Sequence, residues 1–171
     1  MTDWRPWIRD VPDFPSLGIL FRDITPLWAD AKAFGGAITA LADPFRRAGV
    51  EKVVGIEARG FIFGSAVARA LSVGFVPARK PGKLPRGRHR VDYALEYGSD
   101  ALEIHVDAIA EGERVLLIDD VLATGGTARA AADLVRVCGG ELAGIGVFLE
   151  LTELKGRDRL ASERVESVVR V

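Results

Sequence analysis

The chain carries one cysteine, Cys138, in 171 residues, which excludes an internal disulfide framework and any zinc site built on several cysteines. It also lacks an excess of either charge: 23 Lys and Arg stand against 24 Asp and Glu, a net charge of −1. That balance supplies no global basic field to hold nucleic acid. No apolar run approaches the ~18–20 residues of a membrane span. The opening Met1-Thr2-Asp3-Trp4-Arg5-Pro6-Trp7 has no apolar signal-peptide core. Internal repeats and low-complexity linkers are missing as well, so no domain boundary is read. What is there is a globular balance, 49% hydrophobic and 27% charged, in a length suited to one domain with one sizeable core. The expectation is a soluble, cytoplasmic, single-domain protein over residues 1–171.

Short apolar runs alternate with longer amphipathic ones. Lys52–Ile56 reads as a buried strand and Gly60–Leu71 as the helix after it. Phe75–Ala78 reads as a second strand, its Pro77 marking an edge or a strand end. Val115–Ile118 is a further buried strand, followed by a glycine turn and a helix from about Thr127 to Val137, stopped by Gly139-Gly140. Ile145–Leu149 follows, and a last strand is expected within Glu163–Val171. Strands apolar on both faces, alternating with helices, make an α/β fold with a mainly parallel sheet covered on both sides. An earlier helix, about Asp30 to Ala48, should break at Pro44. Two stretches, Val11–Leu27 and Arg79–Gly98, follow neither period and read as long loops, either functional lids or disordered segments.

The most informative segment is Val115-Leu116-Leu117-Ile118-Asp119-Asp120-Val121-Leu122-Ala123-Thr124-Gly125-Gly126-Thr127. A buried strand brings two carboxylates to its C-terminal end, where open α/β sheets bind ligands. The Ala-Thr-Gly-Gly-Thr turn then opens a helix, whose free N–H groups and dipole make an anion site. Thr124 and Thr127 add hydroxyls, and Asp119 and Asp120 suit ribose hydroxyls. The plainer reading makes Asp120 a turn cap and the glycines tight-turn residues. Gly-x-x-x-x-Gly-Lys-Ser/Thr is absent, as is Gly-x-Gly-x-x-Gly after a strand, which removes the usual kinase, GTPase and dinucleotide readings.

Glu57-Ala58-Arg59-Gly60 is a second strand-to-helix turn, with an arginine suited either to bidentate phosphate contact or to an ion pair with a nearby acid. Residues 79–90 hold Arg79, Lys80, Lys83, Arg86, Arg88 and Arg90 and no acid. That is a surface for a polyanionic ligand or simply a solvated face. Nucleic acid is disfavoured, because no aromatics interleave the run. Glu96, in Tyr93-Ala94-Leu95-Glu96-Tyr97-Gly98, is a carboxylate between aromatics that could move a proton. His89 and His105 have no metal-ligand spacing, and Cys138 reads as a small core residue rather than a nucleophile.

The run ending Asp119–Thr127 resembles the PRPP-binding motif of the type I phosphoribosyltransferases. Asp13–Pro15 through Gly18–Pro26, Glu57–Phe61, and Arg79–Pro85 leading into Leu95–Gly98 are similar to the adenine phosphoribosyltransferase family in particular. The resemblance implies that family's fold, a parallel central sheet with a small hood (about 1–27) and a mobile lid loop (about 79–98). It implies the reaction adenine plus PRPP giving AMP plus pyrophosphate, with Mg²⁺ held mainly by PRPP and no direct protein ligand, in a homodimer. It places the 5′-phosphate on Ala123, Thr124, Gly125, Gly126 and Thr127, and the ribose on Asp119 and Asp120. The pyrophosphate falls to Arg59 with the Glu57-Ala58 peptide (often cis in this family), and to Arg79 and Lys83, from the same or the neighbouring subunit. Leu20, Phe21 and Arg22 would form the adenine pocket, Glu96 would handle the purine proton, and Tyr97 would help close the lid. A hypoxanthine, guanine or xanthine transferase, or a non-catalytic PRPP- or nucleotide-sensing regulator, are the rival readings. Such regulators often carry a DNA-binding segment, for which the stretch before residue 10 looks too short. Leu17 stands where the family usually has proline and should loosen that turn. Residues 87–92 are more basic than usual, with Arg88 and Arg90 expected to affect little beyond salt dependence. The chain ends without the family's common tail.

Overall fold

The computed structural model describes residues 2–94 and 99–171. Within them the chain forms two compact units, one up to Ile38 and one from Thr39 onward. In the first, β1 (Arg9–Pro12) and β2 (Leu20–Asp23) form an antiparallel hairpin. Asp23 precedes the short α1 (Thr25–Ala29) and accepts hydrogen bonds from the Thr25 N–H and hydroxyl, both at 2.9 Å. Helix α2 (Ala31–Ala42) starts where the Asp30 carboxylate accepts the Ala33 N–H at 2.7 Å, an N-cap. It ends at Ala42, just ahead of Pro44, and residues Asp43–Phe45 tighten into a 3-10 turn, so the expected break is present.

The second unit continues with β3 (Lys52–Ile56), α3 (Gly60–Leu71), β4 (Gly74–Ala78), β5 (Arg88–Ala94), β6 (Ser99–His105), β7 (Arg114–Leu122), α4 (Gly126–Val137), β8 (Glu141–Glu150) and β9 (Val165–Arg170). Its core is a five-stranded sheet in the order β4-β3-β7-β8-β9, parallel throughout. Val53, Val54, Ile56, Leu116, Leu117 and Ile118 are all buried, which is what a strand covered on both faces requires. On α4 the alanines 128, 130, 131 and 132 are buried with Leu134 and Val135. Their small side chains let the helix lie close to the strands at little entropic expense. Phe63 of α3 stacks on Phe148 of β8, centroids 5.5 Å apart. Chain order runs from β3 outward to β4 on one side, and from β7 outward to β8 and β9 on the other. The reversal between β3 and β7 is the topological switch point, the crevice where open α/β sheets bind ligands.

Two expectations need correction. The stretch Val11–Leu27 is not one long loop but a hairpin and a short helix. Its turn is closed by the Gly18 N–H on the Asp13 carboxylate (2.8 Å) and by Phe14 N–H on the Ile19 carbonyl (3.2 Å), while Leu17 points outward, 89% exposed. A proline at position 17 is therefore not what holds the turn. The stretch Arg79–Gly98 likewise contains a strand, β5, which pairs with β6. Its charges hid a period of two: Arg88, Arg90 and Asp92 face solvent, while His89, Val91 and Tyr93 face inward.

Candidate active site

Strand β7 continues through Asp119 and Asp120 to Leu122, beyond the end expected at Ile118. Pairing with β8 sustains it to Leu122, whereas pairing with β3 stops at Ile118. The two carboxylates therefore sit on a strand edge left open toward β3. A cavity of about 340 Å³ occupies that opening, lined by Glu57, Ala58, Arg59, Lys80, Asp119, Asp120, Val121, Ala123 and Thr127. A smaller one of about 80 Å³ lies over the turn and shares Asp119, Val121, Ala123 and Thr127 with it. A roomier cavity of about 470 Å³, between Trp4, Trp7 and the start of α2, has no cluster of phosphate donors, so volume alone does not mark the chemistry.

The turn reaches α4 through Gly125, whose φ of +81° is glycine's territory. No side chain caps α4, and a helix N-terminus of that kind suits an anion. Behind the turn lies Gly156, in a 3-10 turn after β8 that sequence reasoning missed. A methyl group built on Gly125 would strike the Gly156 carbonyl. One on Gly156 would strike the Ala123 carbonyl and come within 2.9 Å of the Gly125 nitrogen. Two backbones thus touch with no room for a side chain, and only the pairing in space reveals it.

Charge in the cavity is organised in pairs. Arg59 meets Asp120 at 2.7 Å, so of its two sequence readings the ion pair is the one seen here. Burial pushes both carboxylates above their ordinary pKa: Asp119 further, because the adjacent Asp120 charge adds to burial, and Asp120 less, because Arg59 opposes the rise. Asp119 accepts the Asp120 N–H at 2.9 Å, and its Oδ1 lies over Gly60, where a methyl group would approach it to 2.7 Å. The Glu57-Ala58 peptide is cis, as the resemblance implied. Glu57 accepts two bonds from Arg79, at 3.0 and 3.4 Å, and the Lys80 N–H at 2.7 Å. The Arg79 guanidinium holds its carboxyl below the usual carboxylate range.

Lys80, which sequence reasoning passed over in favour of Arg79 and Lys83, lines the cavity. Its ammonium meets Asp100 and donates to the Tyr93 hydroxyl at 3.0 Å. Burial opposes its charge, but those partners together hold its pKa above the ordinary value. Thr127 in turn donates to the Tyr93 hydroxyl at 3.3 Å, so Tyr93 ties the anion turn to the basic wall. Lys83 is exposed and lines neither cavity, though its charge is felt at Glu57. Arg88 and Arg90 prove unequal: Arg90 pairs with Asp92 on its own exposed strand face, while Arg88 meets the buried Glu103 at 3.0 Å.

Leu20, Phe21 and Arg22 lie on β2 in the first unit. Leu20 is half exposed, Phe21 packs edge-on to Phe14 at 5.1 Å, and Arg22 pairs across the hairpin with Asp10. Glu96 and Tyr97 lie outside the described residues. His105 Nε2 is bonded to the Pro85 carbonyl at 2.7 Å, and burial raises the Cys138 thiol pKa, so neither looks toward chemistry. Among the described residues no group of three or more His, Cys, Asp or Glu could hold a metal ion, and no helix is long and apolar enough to cross a membrane.

A glycine turn at a helix N-terminus, paired acids one strand-end away, and cations opposite them thus meet at the switch point of an α/β fold. The chain belongs to the phosphoribosyltransferase family: the phosphoribosyl transferase domain matches residues 30–169. Within that family its relatives are adenine phosphoribosyltransferases. The one from Myxococcus xanthus is 56% identical over 169 residues, covering 99% of this chain and 92% of its own. The crystal structure of the enzyme from Thermoanaerobacter pseudethanolicus superposes with a TM-score of 0.95 at 48% identity, covering 98% and 97%. The Saccharomyces cerevisiae enzyme, solved with an imino-altritol bisphosphate and adenine, gives 0.91 at 41% identity, covering 96% of each chain.

Proposed function

We propose that this chain is an adenine phosphoribosyltransferase of purine salvage, moving the 5-phosphoribosyl group from PRPP to N9 of adenine and releasing pyrophosphate. The observation that carries this reading is the pair of adjoining cavities, sharing Asp119, Val121, Ala123 and Thr127, that bring the Ala123–Thr127 turn, the Asp119–Asp120 pair and the Arg59 and Lys80 cations together. A ribose phosphorylated at both ends matches that order of charge. The α4 N-terminus would take the 5′-phosphate, Asp119 and Asp120 the ribose hydroxyls, and Arg59, the Glu57-Ala58 peptide, Arg79, Lys80 and Lys83 the pyrophosphate. Mg²⁺ enters as part of the substrate, bound to PRPP. In the step itself the bond from C1 to pyrophosphate breaks, its electron pair leaving with pyrophosphate. C1 gains oxocarbenium character, and N9 bonds to it. The cations stabilise the charge gathering on the leaving group, and exclusion of water prevents hydrolysis of PRPP. Arg59 and Arg79 now hold Asp120 and Glu57, so binding the pyrophosphate exchanges carboxylate partners for phosphate oxygens.

On the base side, Leu20, Phe21 and Arg22 would read adenine, with backbone groups on the 6-amino edge and the Phe21 ring against the purine face. Glu96 would accept the purine proton, and Tyr97 would help close residues 79–98 as a lid over the site. The whole of 1–171 is read as one phosphoribosyltransferase domain, working as a cytoplasmic homodimer, with Arg79 and Lys83 serving their own site or the neighbouring one. Purified protein given adenine, PRPP and Mg²⁺ should form AMP and pyrophosphate in equal amounts. Pyrophosphate without AMP would mean hydrolysis, and neither product would favour a regulator. Glu96→Gln should lower kcat about 10²-fold, the contribution of a general base, with the adenine KM little changed. An unchanged kcat across the pH range would remove Glu96 from the proton transfer.

A further inference from the structure

Glu103 lies on β6 within the run Ala101-Leu102-Glu103-Ile104, all buried, and is itself 2% exposed. A carboxylate taken that far from water must be compensated, and here it is compensated by the segment Arg79–Gly82 and its neighbour Arg88. Its Oε2 accepts the Gly82 N–H at 3.0 Å and meets the Arg88 guanidinium at 3.0 Å. Its backbone pairs with Arg79 in both directions: the Arg79 N–H donates to the Glu103 carbonyl at 2.8 Å, and the Glu103 N–H to the Arg79 carbonyl at 2.7 Å. One residue thus grips the segment at both ends, with main chain at Arg79 and side chain at Gly82. Between those grips lies Lys80, which faces the cavity, and Lys83 follows directly. Gly82 holds φ at +76°, a bend that the Glu103 carboxylate stabilises from inside.

We infer that Glu103 is a positioning residue for the pyrophosphate end of the site: by pinning the Arg79–Gly82 bend from beneath, it sets where the cations of that segment stand. This rests on the reading of that segment as the pyrophosphate wall. Glu103 touches no substrate; it acts through Arg79, Lys80 and Lys83. Arg88 is then the counter-ion of that buried carboxylate, which turns one cation of residues 87–92 toward the protein rather than toward a ligand.

The test separates the two ends of the site on the full-length protein. Glu103→Gln keeps the shape and an acceptor for Gly82 but removes the charge facing Arg88. Its KM for PRPP and its dissociation constant for inorganic pyrophosphate should each rise about tenfold, the loss expected for a charged hydrogen-bonded pair, with the kcat at saturating PRPP falling less. AMP, which carries only the 5′-phosphate and ribose, should bind the variant within about twofold of wild type, as for an untouched hydrogen-bond set. Arg88→Gln, at an exposed side chain, should shift pyrophosphate binding the same way by a smaller factor. Equal weakening of AMP and pyrophosphate would make Glu103 a general fold residue and overturn the inference, as would unchanged pyrophosphate binding in both variants. Wild-type protein that fails to bind pyrophosphate would instead overturn the reading of the segment itself.

Discussion

Asp119→Asn and Asp120→Asn should together lower kcat/KM for PRPP by about 10²- to 10⁴-fold, the loss of two charge-assisted hydrogen-bond acceptors, and Asp119→Asn alone should make the protein more stable at pH 7. The second half follows from the pKa directions. Burial, and for Asp119 the Asp120 charge, raise both carboxylates above their ordinary values. A raised carboxyl pKa means that folding favours the protonated form. The stabilisation is therefore present at acid pH and is lost as pH rises from the ordinary value through the raised one. At neutral pH, where both carboxyls are ionised in the unfolded chain, the two raised groups work against the fold. Asparagine keeps an acceptor for the Asp120 N–H and removes one charge, so thermal unfolding should move up by about 2–4 °C for each kcal/mol relieved in a chain of this length. The gain should shrink as pH falls toward the ordinary carboxylate range. Asp120→Asn carries no such gain, because it removes the carboxylate charge that Arg59 meets. A fall in melting temperature for Asp119→Asn at pH 7, or wild-type turnover in the double variant, contradicts this account of the pair.

The second large effect is expected at Gly156, a residue that touches no reacting atom. Alanine there drives a methyl group into the Ala123 carbonyl and against the Gly125 nitrogen at 2.9 Å. Neither neighbour is the flexible end of a side chain, so the anion turn itself must shift. Overpacking of this kind costs about 1–3 kcal/mol, and displaced N–H groups would add a weaker grip on phosphate. Gly156→Ala should raise the KM for PRPP and the dissociation constant for AMP together, by about tenfold or more, while the circular dichroism spectrum stays that of wild type. Unchanged AMP binding would mean that the turn can retreat from Gly156 without losing its donors.

The two sites of largest expected effect differ in how far the sequence announces them. Asp119 and Asp120 were legible because a buried strand, two acids and a glycine turn are consecutive, and strand-to-helix turns place such residues at a sheet's ligand-binding end. Gly156 was not, because its meaning comes from a backbone contact with Gly125 across the fold. The same division runs through the architecture. The sheet strands and α3 and α4 could be read from apolar runs and glycine stops, and α2's end from Pro44. β5 could not, since Arg88, Arg90 and Asp92 on one face masked His89, Val91 and Tyr93 on the other. Lys80 was overlooked because nothing in a run of cations says which one turns inward; Asp100 and Tyr93, distant in sequence or on another strand, decide that. Glu103 carried a readable signal, an acid inside the apolar run Ala101–Ile104, which marks a buried charge with a partner elsewhere.

The central claim is that the site joins a phosphoribosyl group to adenine rather than to another purine. The most direct measurement supplies PRPP and Mg²⁺ with adenine, hypoxanthine or guanine side by side and follows nucleotide formation. AMP from adenine alone is the expected result. IMP or GMP formed as readily would leave the phosphate site standing but contradict the assignment of Leu20, Phe21 and Arg22 to adenine, and no nucleotide from any base would contradict the enzyme itself.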